Sequence, residues 1–256
     1  MSDFSPSFPG AFSKPDARLD DLLALAGGRY DLEFEPVSAG GVKLQIAQIA
    51  NMRELLDEAI AVNALQDAVN TLPLWAKIWP ASLILGHVLS LMPRAGRSFL
   101  EIGAGCGVTG LVAAALGFER VIISDINEDA LLFARINILK NGLQDRANVR
   151  KVDVCADTLA ERFSVIAGSE ILYLEPLYRP LVKFLRRHLE PAGSGSEALL
   201  ATDHRRSAKP FFKRAEKEFH ITHKQIGARE TAAGTESGDH TPERHLLSIH
   251  RLMPLR

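Results

Sequence analysis

From residue 99 onward the 256-residue chain alternates between two hydrophobic periods, and this constrains its fold more than any other feature. Short runs at 99–102, 121–124, 149–154, 163–167 and 198–201 have the length of strands, and those at 121–124, 149–154 and 163–167 are rich in β-branched residues. Between them, segments from 108, over 128–140 and over 176–189 carry apolar residues at three- and four-residue spacing, as helices do. Strands joined through helices can pair in parallel, so the alternation predicts a doubly wound parallel sheet with helices on both faces. The end of the chain breaks the rule. A helix over 209–218 leads to a strand over 220–226, a polar stretch without period over 227–244, and a last strand over 246–252. Two strands joined by a loop predict an antiparallel hairpin at the sheet edge. The expected class is α/β, with seven strands in the sheet.

The front of the chain reads differently. Residues 1–29 form an expected loose arm, with a short helix over 19–25 ended by Gly27-Gly28. Residues 30–71 form an expected hairpin-and-helix extension. Its strands lie at 30–36 and 42–49 about a Gly40-Gly41 turn, and Val42, Leu44 and Ile46 alternate with Lys43 and Gln45. A helix over 52–69 would place Leu55, Ala59, Val62, Leu65 and Val69 on one face. The main domain is expected over 72–256, opening with an apolar helix at 83–91. Composition narrows the function classes: 46% hydrophobic and 24% charged residues are globular usage, which excludes a disordered chain. A formal net charge of −1 gives no whole-chain pull toward nucleic acid or anionic lipid. No uncharged apolar run approaches membrane-spanning length. Two cysteines, Cys106 and Cys155, with no apolar signal core near the N-terminus, lead to the expectation of a reducing, cytoplasmic setting.

The sharpest motif lies between the first strand of the alternation and its helix: Glu101-Ile-Gly103-Ala104-Gly105-Cys-Gly107-Val-Thr-Gly110. Two patterns overlap in it. Gly105-x-Gly107-x-x-Gly110 fits the dinucleotide fingerprint. Glu101-x-Gly103-x-Gly105-x-Gly107 fits an S-adenosylmethionine loop. A dinucleotide would bring an anionic pyrophosphate to this turn, where the Glu101 carboxylate would repel it. S-adenosylmethionine brings an ammonium and a sulfonium, which that carboxylate favours directly or through water. Asp125 ends the next strand, where a carboxylate accepts ribose hydroxyls from either cofactor; the alternative is a helix N-cap. Asp153 ends the third strand, at the expected adenine edge or as a solvated loop acid. No metal-ligand spacing and no Gly-x-Ser-x-Gly elbow occurs.

Three segments together resemble the class I, seven-strand, Rossmann-like S-adenosylmethionine-dependent methyltransferases, and within them the protein-lysine branch called methyltransferase family 16. They are Leu74-Trp75-Ala-Lys-Ile-Trp79-Pro with its apolar helix, the Glu101–Gly110 loop with Asp125, and Gly168-Ser169-Glu170-Ile-Leu-Tyr173-Leu-Glu175-Pro. The resemblance implies S-adenosylmethionine as cofactor. It implies that Trp79 packs near it, that Glu101, Gly103, Ala104 and Gly105 hold its methionine part, and that Asp125 binds ribose with Ile126 against adenine. Asp153 and Val154 would border adenine; the family often has Trp where Val154 stands. Ser169 would line the methionine end, and Glu170 and Tyr173 would face methyl transfer. The family usually has Asp where Glu170 stands, so the extra methylene shifts that carboxylate. An Asn/Asp-Pro-Pro-Tyr motif, used on planar nitrogens, is replaced here by Ser169-Glu170-Ile-Leu-Tyr173. The implied reaction is methyl transfer to a lysine amine of a protein substrate, with no nucleic acid or membrane partner. Alternatives are a small-molecule N- or O-methyltransferase, a non-catalytic cofactor-binding interaction module, and a nicotinamide-dependent oxidoreductase. Trp75, Tyr173, His87 and His188 also have plain packing or surface readings.

Overall fold

A computed structural model of the chain describes residues 16–52, 73–205, 208–229 and 244–256. A first helix, α1 (Leu19–Gly27), precedes an antiparallel hairpin of β1 (Leu32–Ala39) and β2 (Val42–Ile49). The main sheet contains β3 (Ser98–Ile102), β4 (Arg120–Asp125), β5 (Ala147–Lys151), β6 (Val165–Ser169), β7 (Glu197–Asp203), β8 (Phe219–Arg229) and β9 (Arg244–Pro254). Their spatial order is β5-β4-β3-β6-β7-β9-β8. The strands from β5 across to β7 pair in parallel, and β9 pairs antiparallel with both β7 and β8. The seven-stranded α/β expectation therefore holds. The terminal hairpin inserts its second strand beside β7 and leaves β8 at the edge.

Five further helices are described: α2 (Pro80–Ser90), α3 (Val108–Leu116), α4 (Glu128–Lys140), α5 (Tyr178–His188) and α6 (Lys209–Ala215). Strand residues alternate between two cores. Phe99, Val121, Ile123 and Val165 face a cluster with Leu85 and Leu89 of α2, Leu111 of α3 and Leu131 of α4. Leu100, Ile122, Ile166 and Leu200 face the other, with Leu181 and Leu185 of α5 and Phe211 of α6. Each such fully buried side chain contributes about 1.5–3 kcal/mol of transfer free energy, which fixes strand register against a one-residue slip.

Local chemistry explains the helix ends. Asn127 caps α4, its Oδ1 accepting from the Asp129 and Ala130 amides at 2.8 and 3.1 Å. Glu128 and Asp129 stand in the first turn of α4 and Lys140 in the last, each complementing the helix dipole. The observed bounds equal those predicted from the pattern. Other boundaries moved. The strand expected at 163–167 begins at Val165, because Phe163 turns aside to a single bridge with Leu189. The strand expected to reach residue 154 stops at Lys151. The helix expected at 176–189 starts as a 3-10 turn, Glu175–Leu177. The one expected to reach 218 ends at Ala215 and turns into β8.

Both faces of the front hairpin contribute side chains to a core. Val37, Leu44 and Ile46 join the first core, while Ala47 and Ile49 join a third cluster with Leu22, Ala26, Phe133 and Ile136. Within the arm expected to be loose, α1 is held there by Leu22 and Ala26. Residues 1–15, nearly all of the expected 52–69 helix, and 230–243 of the polar stretch lie outside the described residues. No helix among the described residues is long and apolar enough to cross a membrane.

Candidate active site

The strand order puts a topological switch point between β3 and β6, whose following chains leave in opposite directions. This is where open α/β sheets bind ligands, beyond the carboxyl ends of the strands. Asp153 after β5, Asp125 on β4, the glycine loop after β3 and Ser169 on β6 therefore lie in sequence along one edge. They span three strand spacings, about 14 Å.

The glycine loop is built by close approaches. Gly103 and Gly105 have φ of 59° and 54°, the left-handed region that side chains disfavour. A Cβ on Gly105 would lie 2.4 Å from the Trp75 carbonyl oxygen, and one on Gly103 would lie 2.7 Å from Ile171 Cγ2. The first contact brings the 3-10 turn Leu74–Ala76 onto the loop; the second brings the β6–α5 connection against it. Ala104 is half-buried and its amide donates to the Ser124 carbonyl at 3.0 Å. Trp79 stands just before α2, and its Nε1 donates to the Leu74 carbonyl at 3.1 Å, so the ring folds back over that turn. Trp75 packs edge-on to Tyr30 and Phe133, as its packing reading expected.

Two carboxylates frame the loop. Glu101 is only 1% exposed, and its Oε2 accepts from the Gly110 amide at 2.8 Å. It therefore sits under the loop at the start of α3. Burial pushes its carboxyl up to about 7 against the lowering effect of the Gly110 amide, and the charge of Asp125 pushes it further. Asp125 is buried at the tip of β4. Its Oδ2 accepts from the Gly105 amide and its Oδ1 from the Asn127 amide, both at 2.9 Å. Burial also raises its carboxyl above the ordinary range. Asp125 thus ties the two loops together, and Asn127 rather than Asp125 supplies the N-cap. Ile126 beside it is 58% exposed, an unusual position for so apolar a side chain.

The remaining expected residues fall on the same edge. Asp153 and Val154 are half-buried. The Asp153 carboxylate accepts from the Cys155 amide at 2.8 Å, closing the turn, while Val154 leans on the second core. Ser169 ends β6, half-buried. Glu170 follows with φ of 55°, the one non-glycine residue among those described with positive φ. Such a conformation costs roughly 1–3 kcal/mol and is kept only where the surroundings impose it. Here the Glu170 amide donates to the Ala201 carbonyl at 2.8 Å and its Oε1 accepts from the Asp203 amide at 2.7 Å. The longer side chain thus fastens the tips of β6 and β7. Tyr173 is 48% exposed, whereas nearby Tyr178 is buried with its hydroxyl donating to the Leu172 carbonyl. His188 is buried in α5, Nδ1 against the Phe184 carbonyl and Nε2 accepting from the Leu159 amide; His87 is exposed. Both histidines are structural or surface groups.

Sequence reasoning missed Ile171, which fills the space over two glycines, and Asn137, whose buried side chain reaches the Cys106 carbonyl. The available signal was an Asn pair, Asn137 and Asn141, one turn apart at the C-terminal end of α4.

Comparisons with known proteins fit this geometry. The family model described as lysine methyltransferase matches residues 75–218, more than half of the chain. Protein N-lysine methyltransferase METTL21A of Danio rerio is 33% identical over 135 residues, 49% of this chain and 58% of the relative. Electron transfer flavoprotein beta subunit lysine methyltransferase of Mus musculus is 28% identical over 124 residues, 48% of each chain. Ribosomal protein L11 methyltransferase of Sorangium cellulosum is 37% identical over 114 residues, 44% of this chain and 33% of the relative. The chain thus spans about a third to three fifths of these curated relatives. Among solved structures, precorrin-6y C5,15-methyltransferase from Geobacter metallireducens aligns with a TM-score of 0.52 at 16% identity, covering 67% of this chain and 87% of that one. A TehB-like SAM-dependent methyltransferase from Corynebacterium glutamicum aligns at 0.50 and 16%, covering 79% and 100%. These two share the fold. With the switch-point crevice and the family match together, the chain belongs to the lysine methyltransferase family.

Proposed function

We propose that the chain binds S-adenosylmethionine in the crevice between the glycine loop and the β6 tip, and transfers methyl to a lysine amine of a protein substrate. The observation that carries the reading is the pair Glu101 and Asp125. Both carboxyls are raised by burial, and Asp125 raises Glu101 further. A cation at the loop relieves that repulsion and a pyrophosphate worsens it. The Gly110 amide at the α3 N-terminus, where a dinucleotide phosphate would bind, is taken by Glu101. This favours a sulfonium cofactor over a nicotinamide one.

The residues present fit that cofactor. A carboxylate offers about four acceptor sites. The amides of Gly105 and Asn127 take one on each oxygen of Asp125, leaving both oxygens open to ribose hydroxyls. Exposed Ile126 gives adenine an apolar face, with Asp153 and Val154 at its edge. Gly103, Ala104, Gly105 and Ser169 border the methionine part, Trp79 closes the side toward α2, and Glu101 sets the loop's charge from beneath. The cofactor supplies an electrophilic methyl on a positive sulfur.

The chain's task is then alignment. Holding the amine in line replaces a bimolecular encounter, an advantage of roughly 7–11 kcal/mol in ideal cases. Glu170 draws the lysine ammonium into the crevice, and the Tyr173 hydroxyl orients the amine. A free lysine has a pKa of about 10.4, and partial burial beside a sulfonium lowers it. Water carries the proton away. The relatives named for lysine methylation support a protein acceptor, and two free thiols suit a cytoplasmic setting. The test is transfer of radiolabelled methyl from S-adenosylmethionine into cell lysate, followed by mass spectrometry. Label on protein lysine is expected; label confined to small molecules would overturn the acceptor assignment.

A further inference from the structure

The buried amide of Asn137 connects two parts of the molecule with different tasks. Its side chain, in a residue of 0% exposure, accepts from the Ala47 amide of β2 through Oδ1 at 2.7 Å. Through Nδ2 it donates to the Cys106 carbonyl of the glycine loop at 2.9 Å. The two partners fix the orientation of the amide, since an N–H must meet Oδ1 and a carbonyl must meet Nδ2. The amide is planar, so turning one end turns the other.

One helical turn later, Asn141 completes the attachment of the hairpin. Its Oδ1 accepts from the Gln45 amide and its Nδ2 donates to the Gln45 carbonyl, both at 2.9 Å. Two side chains thus take the place of a neighbouring strand along the outer edge of β2. Gln45 spends its amide there, so its register partner on β1, Pro36, loses nothing by lacking an N–H. Both asparagines hold the hairpin; of the two, Asn137 also holds the loop. The Cys106 carbonyl it grips lies between Gly105 and Gly107, with φ of 54° and 83°. Glycines give that peptide little orientation of its own, and Asp125 grips the Gly105 amide from the other side.

We infer that Asn137 is a positioning residue for the cofactor: it orients the Cys106 peptide of the glycine loop, through a side-chain amide whose other end is fixed by β2 of the N-terminal hairpin. This rests on the reading of that loop as the cofactor site. The experiment compares Asn137→Ala with Asn141→Ala, by urea denaturation and by calorimetric titration with S-adenosylhomocysteine. Both variants lose stability, since each gives up hydrogen bonds to β2. Asn137→Ala weakens S-adenosylhomocysteine about tenfold, as the loss of one buried hydrogen bond at the loop allows. It raises KM for S-adenosylmethionine and spares kcat at saturation, while Asn141→Ala binds within about twofold of the parent. Equal affinities in the two variants would overturn the inference. A parent chain that does not bind S-adenosylhomocysteine would remove the cofactor reading itself, and this inference with it. Should Asn137→Ala not fold, hydrogen exchange on the parent chain decides. The Ala47 amide then gains more protection on ligand binding than amides of β8 and β9 of similar starting protection; an equal gain would refute the coupling.

Discussion

Replacing Asp125 by Asn changes no volume, yet the structure makes it costly. Both carboxylate oxygens accept backbone N–H groups, from Gly105 and from Asn127. An amide side chain has one oxygen to offer, so its NH2 must face one of these donors. That leaves a buried N–H without an acceptor, about 1–3 kcal/mol, and turns the other bond from charge-assisted to neutral. Burial already raises the Asp125 carboxyl, so removing the buried charge returns part of the loss. The net expectation is a destabilisation of about 2 kcal/mol, or about 4–8 °C in Tm for a chain of this size. The second readout is ligand affinity. Two ribose hydroxyls donating to a charged group, each worth about 1.5–3 kcal/mol, predict at least a hundredfold weaker S-adenosylhomocysteine binding in Asp125→Asn. Thermal scans and calorimetry on the same preparations check both. An unchanged Tm would refute the bridging role of Asp125, and an affinity within about twofold of the parent would refute its ribose role.

Three further outcomes follow from the same geometry. Gly105→Ala places a methyl 2.4 Å from the Trp75 carbonyl oxygen at a left-handed φ. A backbone atom has no rotamer to retreat into, so stability falls by about 2–5 kcal/mol in urea denaturation; a parental midpoint would show that the turn over the loop is free to move. For Glu101, the folded protein retains a proton up to about pH 7 that the unfolded chain releases near 4.5. Its raised folded value means that stability falls as pH rises across that window and is flat above it. Denaturation of Glu101→Gln at pH 5 and pH 8 should lose that component of the slope, and a slope equal to the parent's would contradict the burial argument. Tyr173→Phe should lower kcat for methyl transfer about tenfold; an unchanged kcat would return Tyr173, 48% exposed, to a plain surface aromatic.

What the sequence revealed, and what it hid, follows the range of each interaction. The boundaries of α4 were legible because Asn127, the acidic first turn, Lys140 and Gly142 are local signals. The ends of β5 and β6 were not, because pairing partners decide them: Phe163 has a strand-like neighbourhood but meets Leu189 instead. The alternation in β2 correctly placed Leu44 and Ile46 inside, yet it could not show that Ala47 and Ile49 meet a second surface built from α1 and α4. At the site, Asp125 and the glycines were legible from their positions at strand tips. The contact of Glu101 with the Gly110 amide depends on a rotamer, and the reach of Asn137 from β2 to Cys106 depends on how three separate segments pack. Glu170 was legible as a departure from the family's Asp; its positive φ and its bond to the Asp203 amide arise from the approach of β6 to β7, which no local signal carries.

The proposed selection of a sulfonium cofactor rests on two buried acids, Glu101 and Asp125, beside a glycine loop. Calorimetric titration of the full chain with S-adenosylmethionine, S-adenosylhomocysteine and NAD tests it most directly. Under that selection the first two bind at one site per chain and NAD gives no heat of binding. Binding of NAD without the other two, or of none of the three, would contradict it.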